Sequence, residues 1–265
     1  MKLASKLLFL LLSFFGLWFL LQQIDWIQLL KVQELSQKSE EKLGELLWKQ
    51  FENEDDVLDH TILYAGCDSI LTRLCNKNGF NRKTFQLHVV NEPVINAFAL
   101  PDSHMVVFSG LIEACRSSDE LAGVMAHEMA HIIEGHVAQK LMKEIGLSVL
   151  VSMSGGGAGG DLAKETAKML ASTAFDRGLE KEADLMAVDY LVNAQIKPDA
   201  LADFMANLAK TEPEMPTELK WLGTHPQTRE RMSYLWQKAT EFEDVEYTEA
   251  IDTSLWQNMK AYKTN

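Results

Sequence analysis

Between Leu121 and Val137 the chain reads LAGVMAHEMAHIIEGHV, with apolar residues recurring every three to four positions as on a helix with one buried face. Ser118-Asp119-Glu120 precedes the run and supplies a helix start, with carboxylates at the positive end of the dipole. The same spacing continues beyond His136 through Leu141 and Ile145 to Val151, which predicts one long helix ending at the glycine-rich Ser154–Gly160. That glycine stretch reads either as a connector between helices or as a mobile flap near a cleft. Leu179, Ala183, Ala187 and Leu191 mark a second helix. Upstream, Lys31 to Phe80 is helical in pattern, with one apolar stripe at Leu43, Leu46, Leu47 and Phe51 and another at Leu58, Ile62, Cys67, Ile70, Leu71 and Leu74.

Phe85 to Asn91 alternates as a strand does, and Val94 to Leu111 gives two further apolar runs separated by a turn at Pro101-Asp102-Ser103-His104. This predicts a small sheet just before the first long helix. Pro198-Asp199 starts another helix reaching Lys210, a break follows from Thr211 to Pro216, and His225-Pro226 opens a helix carrying Arg229, Arg231, Leu235 and Trp236. The tail from Glu241 is acidic, then amphipathic around Leu255 and Trp256. The expected fold class is therefore α+β, mainly helical, with one domain over residues 31–240, a separate segment at 1–30 and a tail at 241–265.

Residues Met1–Leu21 differ from the rest: a basic start, MKLASK, leads into an apolar run of fifteen, LLFLLLSFFGLWFLL. That length suits a signal-peptide core, yet no small-x-small cleavage site follows, and Ile27, Leu29 and Leu30 extend the run with Trp18 and Trp26 as interfacial anchors. An uncleaved membrane anchor is the preferred reading, and a removed signal is the other. Lys2 and Lys6 before the run place the N-terminus in the cytoplasm and the body outside it, in a periplasmic or equivalent space.

The formal net charge of −13 argues against nucleic acid as a partner, because phosphates demand a basic face. The cysteines number three, and Cys67 and Cys75 would lie about 12 Å apart on a continuous helix, too far for a disulfide. His88 and His104 have no partner at ligand spacing and read as ordinary strand and turn residues.

The chemistry sits in the long helix. His127 and His131 are four residues apart and present two imidazoles to one point, with Glu128 adjacent, the arrangement of a zinc site with its own base. A catalytic zinc takes three protein ligands and keeps a position for water. Glu180 is the candidate third ligand, and Asp184, one turn on, could accept the spare ring N–H of a histidine ligand. On spacing alone a solvated acidic helix reads equally well, since Glu182 is adjacent and the chain is acidic throughout.

The ordered set H-E-x-x-H-x-x-x-x-H (His127, Glu128, His131, His136), R-x-x-E-x-x-A-D (Arg177, Glu180, Ala183, Asp184) and H-P-x-x-x-x-R (His225, Pro226, Arg231) resembles the gluzincin family that includes the CaaX prenyl protease, the HtpX heat-shock protease and their periplasmic relatives. Asn96-Ala97-Phe98-Ala99 and Val106–Leu111 resemble that family's edge strand and its neighbour. The resemblance covers about Phe85 to Arg231, with a weak echo at Trp256. It implies a zincin-like fold with the small sheet beside the H-E-x-x-H helix, and one Zn2+ per chain held by His127, His131 and Glu180. It also implies Glu128 as general base, Asp184 orienting His127, and His225 or Arg231 at the oxyanion or the site's architecture. His136, about 140° around a continuous helix from His131, reads as a residue behind the ligands. Asn96, Ala97, Phe98 and Ala99 are the expected peptide-binding strand, with only one of Ala97 and Ala99 turned to the cleft. A tetratricopeptide region of the kind some relatives carry is not expected.

A metzincin is excluded because Glu134 and Val137 stand where glycine and the third histidine are required, and an H-x-x-E-H enzyme because Gly135 separates Glu134 from His136. The activity expected is zinc-dependent endopeptidase action on extended or unfolded segments of a protein or peptide substrate, in membrane-associated quality control. The rivals are a tethered chaperone or adaptor with a structural metal, and a zinc hydrolase acting on another bond. Nothing in the pattern speaks to oligomeric state.

Overall fold

The structure is a computed structural model describing residues 32–54, 56–58, 60–146, 160–211, 221–225 and 229–262. Residues Glu40–Asn265 form one compact unit, and the described part of the other, Met1–Ser39, is the start of a helix. The elements are α1 (Val32–Glu54), α2 (Ile62–Asn78), a 3-10 turn (Arg82–Thr84), β1 (Gln86–Val90), β2 (Ala97–Leu100), β3 (His104–Phe108), α3 (Ser109–Ala114), α4 (Ser118–Ile133), α5 (His136–Glu144), α6 (Gly160–Ser172), α7 (Arg177–Asn193), α8 (Ala200–Thr211), α9 (Trp221–Thr224), α10 (Arg229–Thr240) and α11 (Thr253–Ala261). The mainly helical chain with one small sheet is as expected. The anchor expected at Met1–Leu30 and the glycine run at 155–159 lie outside the described residues, and among those described no helix is long and apolar enough to cross a membrane.

The sheet runs in the order β1-β3-β2, with β1 parallel to β3 and β2 antiparallel to it. Strand side chains alternate between faces, and here both faces are covered. Leu87, Val89, Met105 and Val107 point into one cluster with α2, α4, α7 and α8, while Phe98, Leu100, Val106 and Phe108 point into a second with α1, α5 and α6. Residues of β2 and β3 are accordingly buried without a polar-out alternation.

Helix α4 is the centre of the first cluster. Ser117 caps it by accepting from the Glu120 N–H at 3.2 Å, and the Glu120 carboxylate accepts from the Arg116 N–H at 2.8 Å, so the cap is the residue before Ser118, where the helix starts. Every residue from Ser118 to His131 is buried. A helix wrapped on all sides needs close neighbours. At Gly123 a Cβ would fall 2.7 Å from the Leu201 backbone nitrogen, so only glycine lets α8 approach there.

Three expectations are corrected. The long helix does not run on through His136, because Gly135 adopts a left-handed φ of 68° that ends α4 and turns the chain into α5, which stops at Glu144. His225 does not open the following helix; its N–H donates to the Trp221 carbonyl at 2.9 Å and closes α9, and α10 starts at Arg229. His88 and His104 are not without partners: the parallel register, which pairs His104 with Gln86 and His88 with Val106, makes them diagonal neighbours, with His88 Nε2 2.8 Å from His104 Nδ1 and Trp48 stacked on His88 at 3.5 Å. A cross-strand pair between β1 and β3 has no signature in local spacing.

The tail set apart at 241–265 packs into the main cluster through Ala250, Ile251 and Met259. Cys67, Cys75 and Cys115 are free and buried.

Candidate metal centre

Four elements deliver the site. Helix α4 contributes His127, Glu128 and His131, α7 contributes Glu180 and Asp184, the end of α9 contributes His225, and α10 contributes Arg231; all seven are buried. The α4–α7 packing is the most extensive between any two described elements. Glu180 therefore faces the histidines and is not on a solvated face.

His127 Nε2 lies 3.0 Å from His131 Nε2 and 3.8 Å from Glu180 Oε2, and His131 Nε2 lies 3.4 Å from Glu180 Oε1. Ligand atoms about 2.1 Å from a tetrahedral ion sit about 3.4 Å from one another, so the two nitrogens and the Glu180 carboxylate are spaced to share a cation. The donor set of two neutral nitrogens and a carboxylate oxygen fits a divalent metal of the zinc type. His225 Nδ1 lies 2.9 Å from Glu180 Oε1 and 3.1 Å from His127 Nε2, and the ligand atoms of His127, His131, Glu180 and His225 all fall within 4.8 Å of one another. His225 thus stands at the fourth corner.

Around this cluster the remaining residues hold the ligands. Asp184 Oδ1 lies 3.0 Å from His127 Nδ1, which leaves Nε2 for the cluster. His136 Nδ1 lies 3.0 Å from His131 Nδ1, and its Nε2 lies 3.4 Å from the exposed Glu182. The reach from His136 to His131 depends on the turn at Gly135, since on an unbroken helix the two would point apart. Arg231 grips Asp184 with two hydrogen bonds, Nε at 2.8 Å and Nη2 at 2.7 Å, and its Nη1 lies 2.6 Å from Glu180 Oε2. Its guanidinium bridges these two carboxylates. Tyr234 donates its hydroxyl to Asp184 as well, and Phe175 stacks on His131 with 3.9 Å between centroids.

Glu128 lies beside the cluster without joining it. One oxygen, Oε1, accepts from the Trp221 indole N–H at 3.0 Å and lies 3.2 Å from His225 Nε2; the other, Oε2, is buried and has no hydrogen-bond partner among the described residues. Burial raises its pKa to about 8. Burial also pushes His131 down to about 3 and His225 down to about 4, so the imidazoles are neutral and able to ligate. Glu180 and Asp184 behave oppositely. Burial works to raise both, but the nearby His225, His131 and His127 hold Glu180 well below the usual carboxylate range, and His127 and Arg231 hold Asp184 at about 2.

The strand residues named as peptide-binding split in two. Phe108 N–H donates to the Asn96 carbonyl at 3.0 Å, which sets Asn96, Phe98 and Leu100 as the residues bonded to β3. Ala97 and Ala99 lie two apart and share the outer side, so the expectation that only one of them faces outward is corrected. The Asn96 side chain is buried and donates to the Ala171 carbonyl of α6 at 3.0 Å, and α6 packs against β2. Immediately upstream, the Ile95 carbonyl accepts from the Trp221 N–H at 2.5 Å.

Trp221, Tyr234 and Phe175 were not singled out from the sequence. The only local cue is spacing: Trp221 stands four residues before His225, and Tyr234 three after Arg231.

Residues 65–239, two thirds of the chain, match the sequence profile of peptidase family M48. The chain is 28% identical over 207 residues to the mitochondrial metalloendopeptidase OMA1 of Schizosaccharomyces pombe, covering 77% of this chain and 60% of that protein. It is 28% identical to the mitochondrial metalloendopeptidase OMA1 of Homo sapiens over 71% of this chain and 39% of that one. With the beta-barrel assembly-enhancing protease of Yersinia pestis it shares 27% identity over 75% of this chain and 43% of that protein. The chain thus spans between two fifths and three fifths of the length of these relatives. With its ordered motifs converging on one metal-ligand cluster and the profile matching from α2 to the end of α10, the chain belongs to peptidase family M48.

Proposed function

We propose that this chain is a zinc-dependent endopeptidase acting on extended segments of protein substrates at a membrane, in protein quality control. The observation that carries this is the convergence of His127, His131 and Glu180 at zinc-ligand spacing beside a Glu128 whose Oε2 is buried and unpartnered. The metalloendopeptidase and protease names of the relatives support it.

When bound, zinc would make a water molecule more acidic and polarise the scissile carbonyl. Glu128 Oε2 accepts the proton of the attacking water and passes it to the leaving amine, which requires a carboxylate near the metal that does not ligate it. Asp184 and His136 fix the far ring nitrogens of His127 and His131, so that each Nε2 faces inward. Arg231 offsets the charge of Asp184 and Glu180 and lets both stay buried. The outward groups of Ala97 and Ala99 would pair with the main chain of an extended peptide, with little demand on its side chains.

The position of His225 favours a second reading, in which four side chains close a structural metal site in a membrane-tethered adaptor. One experiment separates the two. The purified protein should hold one zinc per chain and cleave casein, with cleavage lost on chelation and restored by zinc. Zinc-loaded wild-type and His225→Ala proteins that both leave casein intact would support the adaptor.

A further inference from the structure

Trp221 is fully buried and touches α4 through His127 and Glu128, α8 through Phe204 and the site's His225. Its indole stacks on His225 with 4.6 Å between ring centroids, meets His127 edge-on at 5.4 Å and packs against Phe204 at 5.6 Å. Its backbone N–H donates to the Ile95 carbonyl, and its carbonyl accepts from the His225 N–H at 2.9 Å and the Thr224 hydroxyl at 3.0 Å. The ring is therefore held from both sides, and the direction of its single N–H is fixed. That N–H reaches Glu128 Oε1 at 3.0 Å.

A carboxylate in a buried site has two oxygens and rotates about its terminal bond unless something holds one of them. His225 Nε2 lies 3.2 Å from the same Oε1 but makes no hydrogen bond to it. Among the described groups this leaves the indole as the aligned donor, and Oε2 as the oxygen with no claim on it.

We propose that Trp221 is a positioning residue for proton transfer: its indole N–H holds Glu128 Oε1 so that Oε2 is the oxygen presented to the attacking water. This deepens the peptidase reading and rests on it for its catalytic part. Unlike a serine or asparagine side chain, the indole donates without accepting and so cannot take the proton from Glu128. The same residue carries His225 at the other end of one helical turn, so the base and the fourth corner of the metal cluster are set by one side chain.

The test has two arms. With 15N-labelled tryptophan, the protein's six indole N–H groups give resonances of which one disappears in Trp221→Phe and is thereby assigned. In metal-free and zinc-loaded protein alike, that resonance should shift, and its exchange with deuterium oxide should quicken by tenfold or more, in Glu128→Ala. An unchanged set of six indole resonances in Glu128→Ala would overturn the proposal whether or not the protein is a peptidase, and that outcome is read without the tryptophan variant. In the second arm, Trp221→Phe keeps an aromatic ring against His225 and removes only the donor. Its kcat on a peptide should fall about 10-fold or more at unchanged KM and unchanged zinc content, since the donor that holds Oε1 is lost. A kcat within twofold of wild type would overturn the positioning role. Absence of cleavage by the wild type would fail the peptidase reading itself, leaving the indole resonance to decide the hydrogen bond.

Discussion

Glu128 combines burial, one anchored oxygen and one unpartnered oxygen beside a ligand cluster that it does not join. Glu128→Gln preserves shape and metal and removes only the ability to take a proton, so zinc content should stay at one per chain while kcat falls by about 10²–10⁴-fold. A zinc-loaded variant cleaving at the wild-type rate would reject the assignment. The ligands are distinguished by zinc retention during dialysis against a mild chelator. Glu180→Ala removes one of three first-choice ligands and should lose the metal. His225→Ala removes only the fourth corner and should keep it; equal loss in both would make His225 a full ligand. His127, Glu128 and His131 were legible in the sequence because their relation is local, fixed by 3.6 residues per turn. Trp221 was not, since its partner Glu128 is 93 residues away and the contact is made by the tertiary fold.

Helix α4 shows where element-level reading succeeds and where it stops. Its apolar spacing and its capping pattern are local, and they place the helix within one residue. Its end is set by Gly135 in a left-handed conformation, which periodicity alone ran straight through. Its packing against α8 is set by Gly123, and Gly123→Ala should push the Leu201 backbone away and lower stability by about 1–3 kcal/mol. Thermal unfolding would register this, and an unchanged midpoint would show that α8 has room to shift. Between β1 and β3, burial lowers His88 to about 3 and His104 to about 4, with Glu45 as the nearby opposing charge on His104. Both rings are neutral in folded and unfolded chains above about pH 6.5. As the pH falls below that, the unfolded chain takes up protons that the folded pair refuses. Stability therefore drops by up to about 1.4 kcal/mol per pH unit per histidine until the folded values are reached. Urea midpoints from pH 7 to pH 4.5 should fall more steeply for wild type than for His88→Phe, which keeps the stack on Trp48; parallel curves would remove the pair as a source of acid lability.

At the scale of the whole molecule, the tail after Glu241 reads in sequence as an acidic appendage because its apolar residues are few. The groups that tie it down are mostly backbone carbonyls, which carry no sequence signature. Arg73 of α2 donates to the carbonyls of Ala194, Gln195, Glu249 and Ala250 and to the Thr248 hydroxyl, gathering the end of α7 and the tail onto one guanidinium. Asp119, in the first turn of α4, accepts from the Ala250 N–H at 2.8 Å, and Met259 sits on Gly66, where a Cβ would fall 2.0 Å from its sulfur. Lys260 reaches back to the Cys115 carbonyl at 2.9 Å, just ahead of the α4 cap. The tail therefore braces the entry to the helix that carries His127, Glu128 and His131. Ending the chain at Thr240 should uncover α2 at Gly66, leave the Arg73 guanidinium without its acceptors at Thr248, Glu249 and Ala250, and yield protein that neither unfolds cooperatively nor retains zinc. Starting it at Val32 removes no ligand and none of these contacts. That protein should melt cooperatively and hold one zinc per chain. A Thr240-terminated protein with a wild-type melting transition and full zinc would show that α4 keeps its place without the brace, and an Arg73→Ala chain should fall between the two.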